Sequence, residues 1–268
     1  MTATKIPSLI GVIHLPPLAG SPRWSGKTGL AEEWAFRETQ LLSSCGFDGV
    51  IVENFGDAPF YPGAVEPITV AAMTMCLRAA REAAKNIFLG VNVLRNDAEA
   101  ALSIAVATNA DMIRINVHTG ARVTDQGLVE GLAHRTLRAR RALGAESIKL
   151  FCDVDVKHSA ALAPRPLSEE AHDTADRGLA DALLVTGSGT GRAASGDDVE
   201  MVCRASSVPV YVASGTTIEN LPALRAAHGF IVGSALRKSG RAGDPIDRDT
   251  ATRFSDAYRA FRARVPAQ

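Results

Sequence analysis

Eight short apolar runs recur along the chain, most giving way to a stretch of helical periodicity. This alternation restricts the fold more than any other feature. The runs are Ser8–His14, Asp48–Glu53, Ile87–Val93, Asp111–Val117, Ser147–Cys152, Asp181–Thr186, Pro209–Ala213 and Gly229–Val232. They are rich in Val, Ile and Leu and lack the polar alternation of a half-exposed strand, so each reads as a strand buried on both faces. Helices are predicted over 30–44 and 66–84, from a capping-box-like Asn96/Glu99 start through Thr108, and along a face carrying Leu132, Thr136, Ala139 and Leu143. Further helices are expected from Ser168 to Arg177, from Asp197 to Ala205, after a Thr217 cap (Ile218, Leu221, Leu224), and around Phe254, Tyr258 and Phe261. Strict β/α alternation implies a parallel sheet. Eight units in 268 residues predict a single α/β domain over 1–268, a closed (β/α)8 TIM barrel rather than an open doubly wound sheet.

Composition excludes several classes. The formal charge is zero and aromatics are few, which speaks against nucleic acid or an anionic membrane surface as partner. No apolar run reaches the ~20 residues that a membrane span needs. The four cysteines, Cys45, Cys76, Cys152 and Cys203, are far apart and form no CxxC, as in a reduced cytoplasmic protein. No signal peptide is expected at the N-terminus, and no segment marks a subunit interface, although barrels of this kind often pair.

In such a barrel, chemistry sits at the carboxyl ends of the strands. The residues there are His14, Glu53 with Asn54, Asn92, Asn116, Asp153 with Asp155, and Thr186, a set that converges on one polar pocket. After the fifth strand comes Asp153-Val154-Asp155-Val156-Lys157-His158, which admits three readings. Asp153 or Asp155 serves as general base with Lys157 or His158 as acid. Alternatively Asp153, Asp155, His158 and Glu53 bind a divalent cation, since carboxylates two apart on an extended chain share a side. The third reading is a Schiff base at Lys157.

A second signal lies on strands six to eight. Gly187-Ser-Gly189-Thr-Gly191, Ser214-Gly215-Thr216 and Gly233-Ser234 bring backbone N–H groups together where barrels of this type hold phosphate. The expected ligand is therefore a phosphorylated small molecule. Loops 15–27, 54–63 and 159–166 are expected to cover the mouth, with Trp24, Phe60 and Tyr61 excluding water or packing an interface.

Long blocks of the sequence resemble the BtpA family: Gly11-Val-Ile-His14-Leu-Pro-Pro, Gly49-Val-Ile-Val-Glu53-Asn54-Phe55-Gly56-Asp57, Leu89-Gly-Val-Asn92-Val-Leu-Arg95-Asn96-Asp97, Arg114-Ile-Asn116-Val, Thr124-Asp125-Gln126-Gly127 and the Asp153–His158 block. Asp155 departs from the His common in the family at that place. The resemblance implies a ribulose-phosphate-binding-like barrel but no settled reaction. One member is described as a photosystem I biogenesis factor, and another sits among sugar-phosphate genes. The expectation is thus an isomerase or lyase acting on a phosphorylated metabolite. The alternative is an assembly factor without enzymatic activity.

Overall fold

The computed structural model describes residues 6–187 and 193–265. Eight parallel strands close into a barrel: β1 (Leu9–His14), β2 (Gly49–Glu53), β3 (Phe88–Asn92), β4 (Met112–Ile115), β7 (Lys149–Val154), β9 (Ala182–Val185), β10 (Val210–Val212) and β11 (Gly229–Val232). Three short strands, β5 (Ala121–Thr124), β6 (Gly127–Glu130) and β8 (Ser159–Ala161), form a separate antiparallel sheet at the rim. The helices are α1 (Leu30–Ser44), α2 (Pro67–Ala83), α3 (Ala98–Thr108), α4 (Ala133–Ala142), α5 (Leu167–His172), α6 (Gly196–Ala205) and α7 (Arg248–Arg264).

Because side chains alternate across a strand, each barrel strand feeds two cores. Outward residues such as Leu9, Val50, Leu89, Ile113 and Leu150 pack under the helices. Inward residues fill the barrel itself with Ile10, Val12, Ile51, Phe88, Met112, Phe151, Leu184, Tyr211 and Ile231. Phe151 stacks obliquely on Tyr211 with ring centroids 5.2 Å apart. This apolar plug is the floor on which the site stands.

Several local expectations are corrected. The fifth barrel strand runs two residues later than its apolar composition suggested, so Asp153 lies inside β7. Residues 118–127 carry β5, whose ladder pairs with β8 at the start of the 159–166 loop. Asp97, not Asn96, caps α3 by accepting from Ala100 N at 2.9 Å. Asn96 instead pairs like a backbone unit with Val117, through Oδ1 from its N–H and Nδ2 to its carbonyl, each at 2.8 Å. No α-helix follows β10; the chain makes only a 3-10 turn, Leu221–Leu224. Asn220 ties that loop by accepting from Thr217 N and donating to Gly215 O, both at 2.8 Å. α5 begins at Leu167 and passes into a π-helical turn, Asp173–Arg177.

Gly90 shows how tightly the barrel closes. A Cβ there would lie 2.1 Å from Met112 Sδ and 3.0 Å from Ile51 Cγ1. Gly90→Val is expected to cost about 1–3 kcal/mol through overpacking, read as a lower urea midpoint at unchanged slope; an unchanged midpoint would contradict this packing.

Candidate active site

Strand register assembles the site. His14 pairs with Glu53, and Glu53 with Asn92, so three inward polar side chains stand at one level. Gly90 pairs with Met112, which brings Asn92 level with Arg114 two residues on. Arg114 pairs with Phe151, which likewise brings Asn116 level with Asp153. Period-two alternation turns all of them toward the barrel axis, directly above the apolar plug.

Arg114 organises this layer. It is only 3% exposed. Its Nε and Nη2 donate to Asp153 Oδ1 and Oδ2, each at 3.1 Å, in a side-on fork. Nη1 donates to Glu53 Oε1 at 3.2 Å. Asn92 Nδ2 donates to the same Glu53 oxygen at 3.1 Å, and Asn116 Nδ2 to Asp153 Oδ2 at 2.8 Å. Asn116 Oδ1, also buried, has no hydrogen-bond partner among the described residues. Burial alone would raise the Glu53 carboxyl; Arg114, His14, Lys157 and the Asn92 bond outweigh it and hold the pKa below its ordinary value.

His14 closes the layer on the β11 side. Gly243 N donates to Nδ1 at 3.3 Å, so the neutral ring carries its proton on Nε2, 3.7 Å from Glu53 Oε2. Burial first, then the Arg237 charge, push the imidazole down to about 3, so this contact is dipolar and not an ion pair at neutral pH. Phe55 packs on the ring at 4.4 Å between centroids. Across the ring, a Cβ on Gly233 would touch His14 Cε1 at 3.4 Å.

Above the layer opens a cavity of about 440 Å³, lined among others by Glu53, Asn92, Arg95, Arg114, Asn116 and Lys157. Phe60 and His158 also line it, whereas Tyr61 and Trp24 are exposed, and the Tyr61 hydroxyl donates to Glu66. Burial, followed by repulsion from Arg114, lowers the Lys157 pKa below the ordinary lysine value. The loop is pinned by Thr186: its hydroxyl accepts from Lys157 N at 3.1 Å and donates to Asp155 O at 3.3 Å.

The expected cation ligands are not gathered. Glu53 and Asp153 face Arg114, while Asp155 and His158 have φ of +54° and +58°. These left-handed turns end the extended geometry on which shared sidedness depended. Asp155 instead pairs with Arg122 at 2.9 Å, and Arg122 also contacts Glu170. Among the described residues no cluster of three or more His, Cys, Asp or Glu side chains is placed to hold a metal ion. These residues do not fit that role.

The expected phosphate turns lie after β9, β10 and β11. Gly187 N donates to Ser214 Oγ at 2.6 Å, so that amide serves the link between two turns. Gly189 lies outside the described residues. Gly215 needs its φ of +64°, and the buried Thr216 hydroxyl has no hydrogen-bond partner among the described residues. Gly233 leads into a short 3-10 turn, Ser234–Leu236. Arg237 fixes this turn, donating to Gly233 O, to Val12 O at 3.0 Å and to Asp244 O at 3.0 Å.

Sequence reasoning gave no role to Arg114, Arg95 or Arg237. Arg114 had a readable signal, since it shares parity with Met112 and Asn116 on one strand. Arg95 and Arg237 sit in loops, where periodicity says nothing about direction.

Fold and site together define a parallel β/α barrel with a buried charged layer at its carboxyl rim. The chain belongs to the BtpA family, whose description matches residues 5–260. It is 43% identical over 255 residues to an uncharacterised protein of Thermococcus kodakarensis, covering 95% of this chain and 96% of that one. The photosystem I biogenesis protein BtpA of Synechocystis is 41% identical over 254 residues, covering 93% and 87%. Among solved structures, a thiamine phosphate pyrophosphorylase from Pyrococcus furiosus superimposes with a TM-score of 0.58 at 13% identity, covering 94% and 96%. That likeness concerns the fold. No helix among the described residues is long and apolar enough to cross a membrane.

Arg114→Leu strands two buried carboxylates and should destabilise the fold by about 3–5 kcal/mol in urea unfolding; a loss below about 1 kcal/mol would contradict the network. His14 gives a pH signature. Between the ordinary 6.5 and about 3, the unfolded chain takes up a proton that the folded chain refuses, so stability is lost as the pH drops through this range. His14→Asn should flatten this acid limb, as urea midpoints at a series of pH values would show.

Proposed function

We propose that the protein is an enzyme that moves protons on a small phosphorylated metabolite, a sugar phosphate or phosphoribosyl-type compound, as an isomerase or lyase. The observation that carries this reading is the joint presence of Glu53 and Lys157 in one cavity above a buried ion network. Burying such a network is no efficient way to stabilise a fold, since apolar packing of the same volume is often as stable or more so. A lysine shifted down by burial suits proton donation near neutrality, and a Glu53 held ionised by Arg114 stands ready to accept a proton.

In this reading the Glu53 carboxylate takes a proton from a carbon next to a carbonyl. The Lys157 ammonium donates to the oxygen on which negative charge develops. An isomerase returns the proton at the neighbouring carbon; in a lyase, Glu53 instead takes the proton of the β-hydroxyl, whose oxygen forms the new carbonyl as the C–C bond breaks, and the electrons of that bond pass to the oxygen that Lys157 protonates. Asn92 and Asn116 orient hydroxyls, and the unpaired Asn116 Oδ1 is an acceptor waiting for one. His158 lines the cavity as a second donor. Asp153 acts through Arg114 and is a positioning residue. The phosphate lies on the turns Ser214–Thr216 and Gly233–Ser234, with Thr216 as hydroxyl donor. A cytoplasmic setting suits such a substrate.

A second reading follows from the name of the Synechocystis relative, a role in assembling a membrane complex. It expects the pocket to tolerate change. A thermal-shift screen against inorganic phosphate and sugar phosphates separates the two, because a ligand of the native state raises the melting temperature. The enzyme reading expects a shift with at least one sugar phosphate, lost in Ser234→Asp, and lost function for Lys157→Met in cells lacking the native copy. No shift with any compound, together with an intact Lys157→Met phenotype, would favour the assembly role.

A further inference from the structure

Arg95 is the charged group that the proposed chemistry leaves unused. It follows β3, is 5% exposed, and lines the same cavity as Glu53 and Lys157. Its Nη2 donates to the Lys157 carbonyl at 2.7 Å. Its Nε is buried and has no hydrogen-bond partner among the described residues. Among the described residues no carboxylate forms an ion pair with it: Glu53 and Asp153 are committed to Arg114. Asp125 lines the cavity too, but is exposed, and water and salt screen its charge. A guanidinium taken out of water without a counter-ion is costly and calls for an anion. Its planar donors suit carboxylate and phosphate oxygens.

Its place in the barrel gives the second half of the argument. Around the closed sheet the order is β1, β11, β10, β9, β7, β4, β3, β2. In that ring β3 stands diametrically across from β10, whose loop carries Ser214–Thr216. Glu53 and Arg114 lie on the strands flanking β3, in the floor of the cavity that Arg95 lines.

We propose that Arg95 receives a second anionic group of the substrate, a carboxylate or a second phosphoryl, so that the substrate is a small metabolite charged at both ends. The inference rests on the reading that the β10 and β11 turns hold the first phosphate. It narrows the substrate class to phosphorylated sugar acids and bisphosphates and leaves out singly charged sugar phosphates. The reacting carbons then lie between the two anchors, over Glu53 and Lys157.

The test measures binding to the full-length protein by calorimetry. Probes are straight-chain monophosphates, ω-phosphocarboxylates and bisphosphates of two to six carbons. At the length that spans the site, a two-headed probe should bind at least about tenfold tighter than the monophosphate, as linked contacts do. Arg95→Met should abolish that gain and keep the monophosphate affinity, and Arg95→Lys should restore part of it. If Arg95→Met does not fold, Arg95→Gln, which keeps donors without the charge, takes its place. A gain with only one probe series identifies the second group as carboxylate or phosphoryl. Equal affinity of one- and two-headed probes at every length overturns the inference and leaves the phosphate reading intact. Monophosphate binding lost in Arg95→Met but kept in Ser234→Asp puts the phosphate at Arg95 and overturns both. Failure of every probe to bind the wild-type protein also overturns both.

Discussion

The fork between Arg114 and Asp153 is the interaction on which the rest of the site depends. A guanidinium on the inner face of a barrel has no water to turn to. It is held by two carboxylates, Asp153 on β7 and Glu53 on β2, which flank it from different parts of the ring. Each carboxylate then takes an amide from a neighbouring strand, Asn92 or Asn116. Four strands are thereby joined through polar atoms at one level, and a rigid charged surface replaces what would otherwise be another apolar layer. Such a surface is preorganised: its dipoles are fixed before a ligand arrives, the condition under which electrostatic stabilisation is most effective.

Much of this was legible in the sequence because a barrel strand has a period of two and a known chemical direction. His14, Glu53, Asn92, Asn116 and Asp153 end or nearly end apolar runs, and the structure turns all five to the axis. The same parity, counted inward from Asn116, reaches Arg114. It was hidden because a charged residue inside a strand has no meaning until its partners on other strands are known. Asp155 and His158 misled for the opposite reason. Spacing suggests one extended face, but two left-handed residues fold the chain into a turn, and that geometry is set by tertiary contacts such as Arg122 and Thr186. The three-stranded rim sheet was missed because its strands are only three or four residues long and β8 joins the β5–β6 hairpin from a distant loop, with Arg122 facing Ala161.

Family and fold carry different weight. Membership in the BtpA family is plain from the whole-length match, yet one relative's name speaks of photosystem I biogenesis and another's gives no role. The barrel likeness to a thiamine phosphate pyrophosphorylase describes a scaffold that hosts many chemistries. What sets this barrel apart is its cavity, where the anionic Glu53 of the ion network, with a neutral His14 beside it, meets a desolvated Lys157 and an Arg95 that has no carboxylate partner among the described residues. An apolar core would hold the barrel together without them.

That contrast can be measured directly. Replacing the network as a unit, Glu53→Leu with Arg114→Met and Asp153→Leu, removes the charges together and strands none of them. If the layer exists for chemistry, the triple variant should fold, melt at or above the wild-type temperature, and show no thermal shift with any phosphorylated compound that stabilises the wild type. A variant that melts far below wild type, or that keeps the ligand response, would show that these charges serve the fold and not a site.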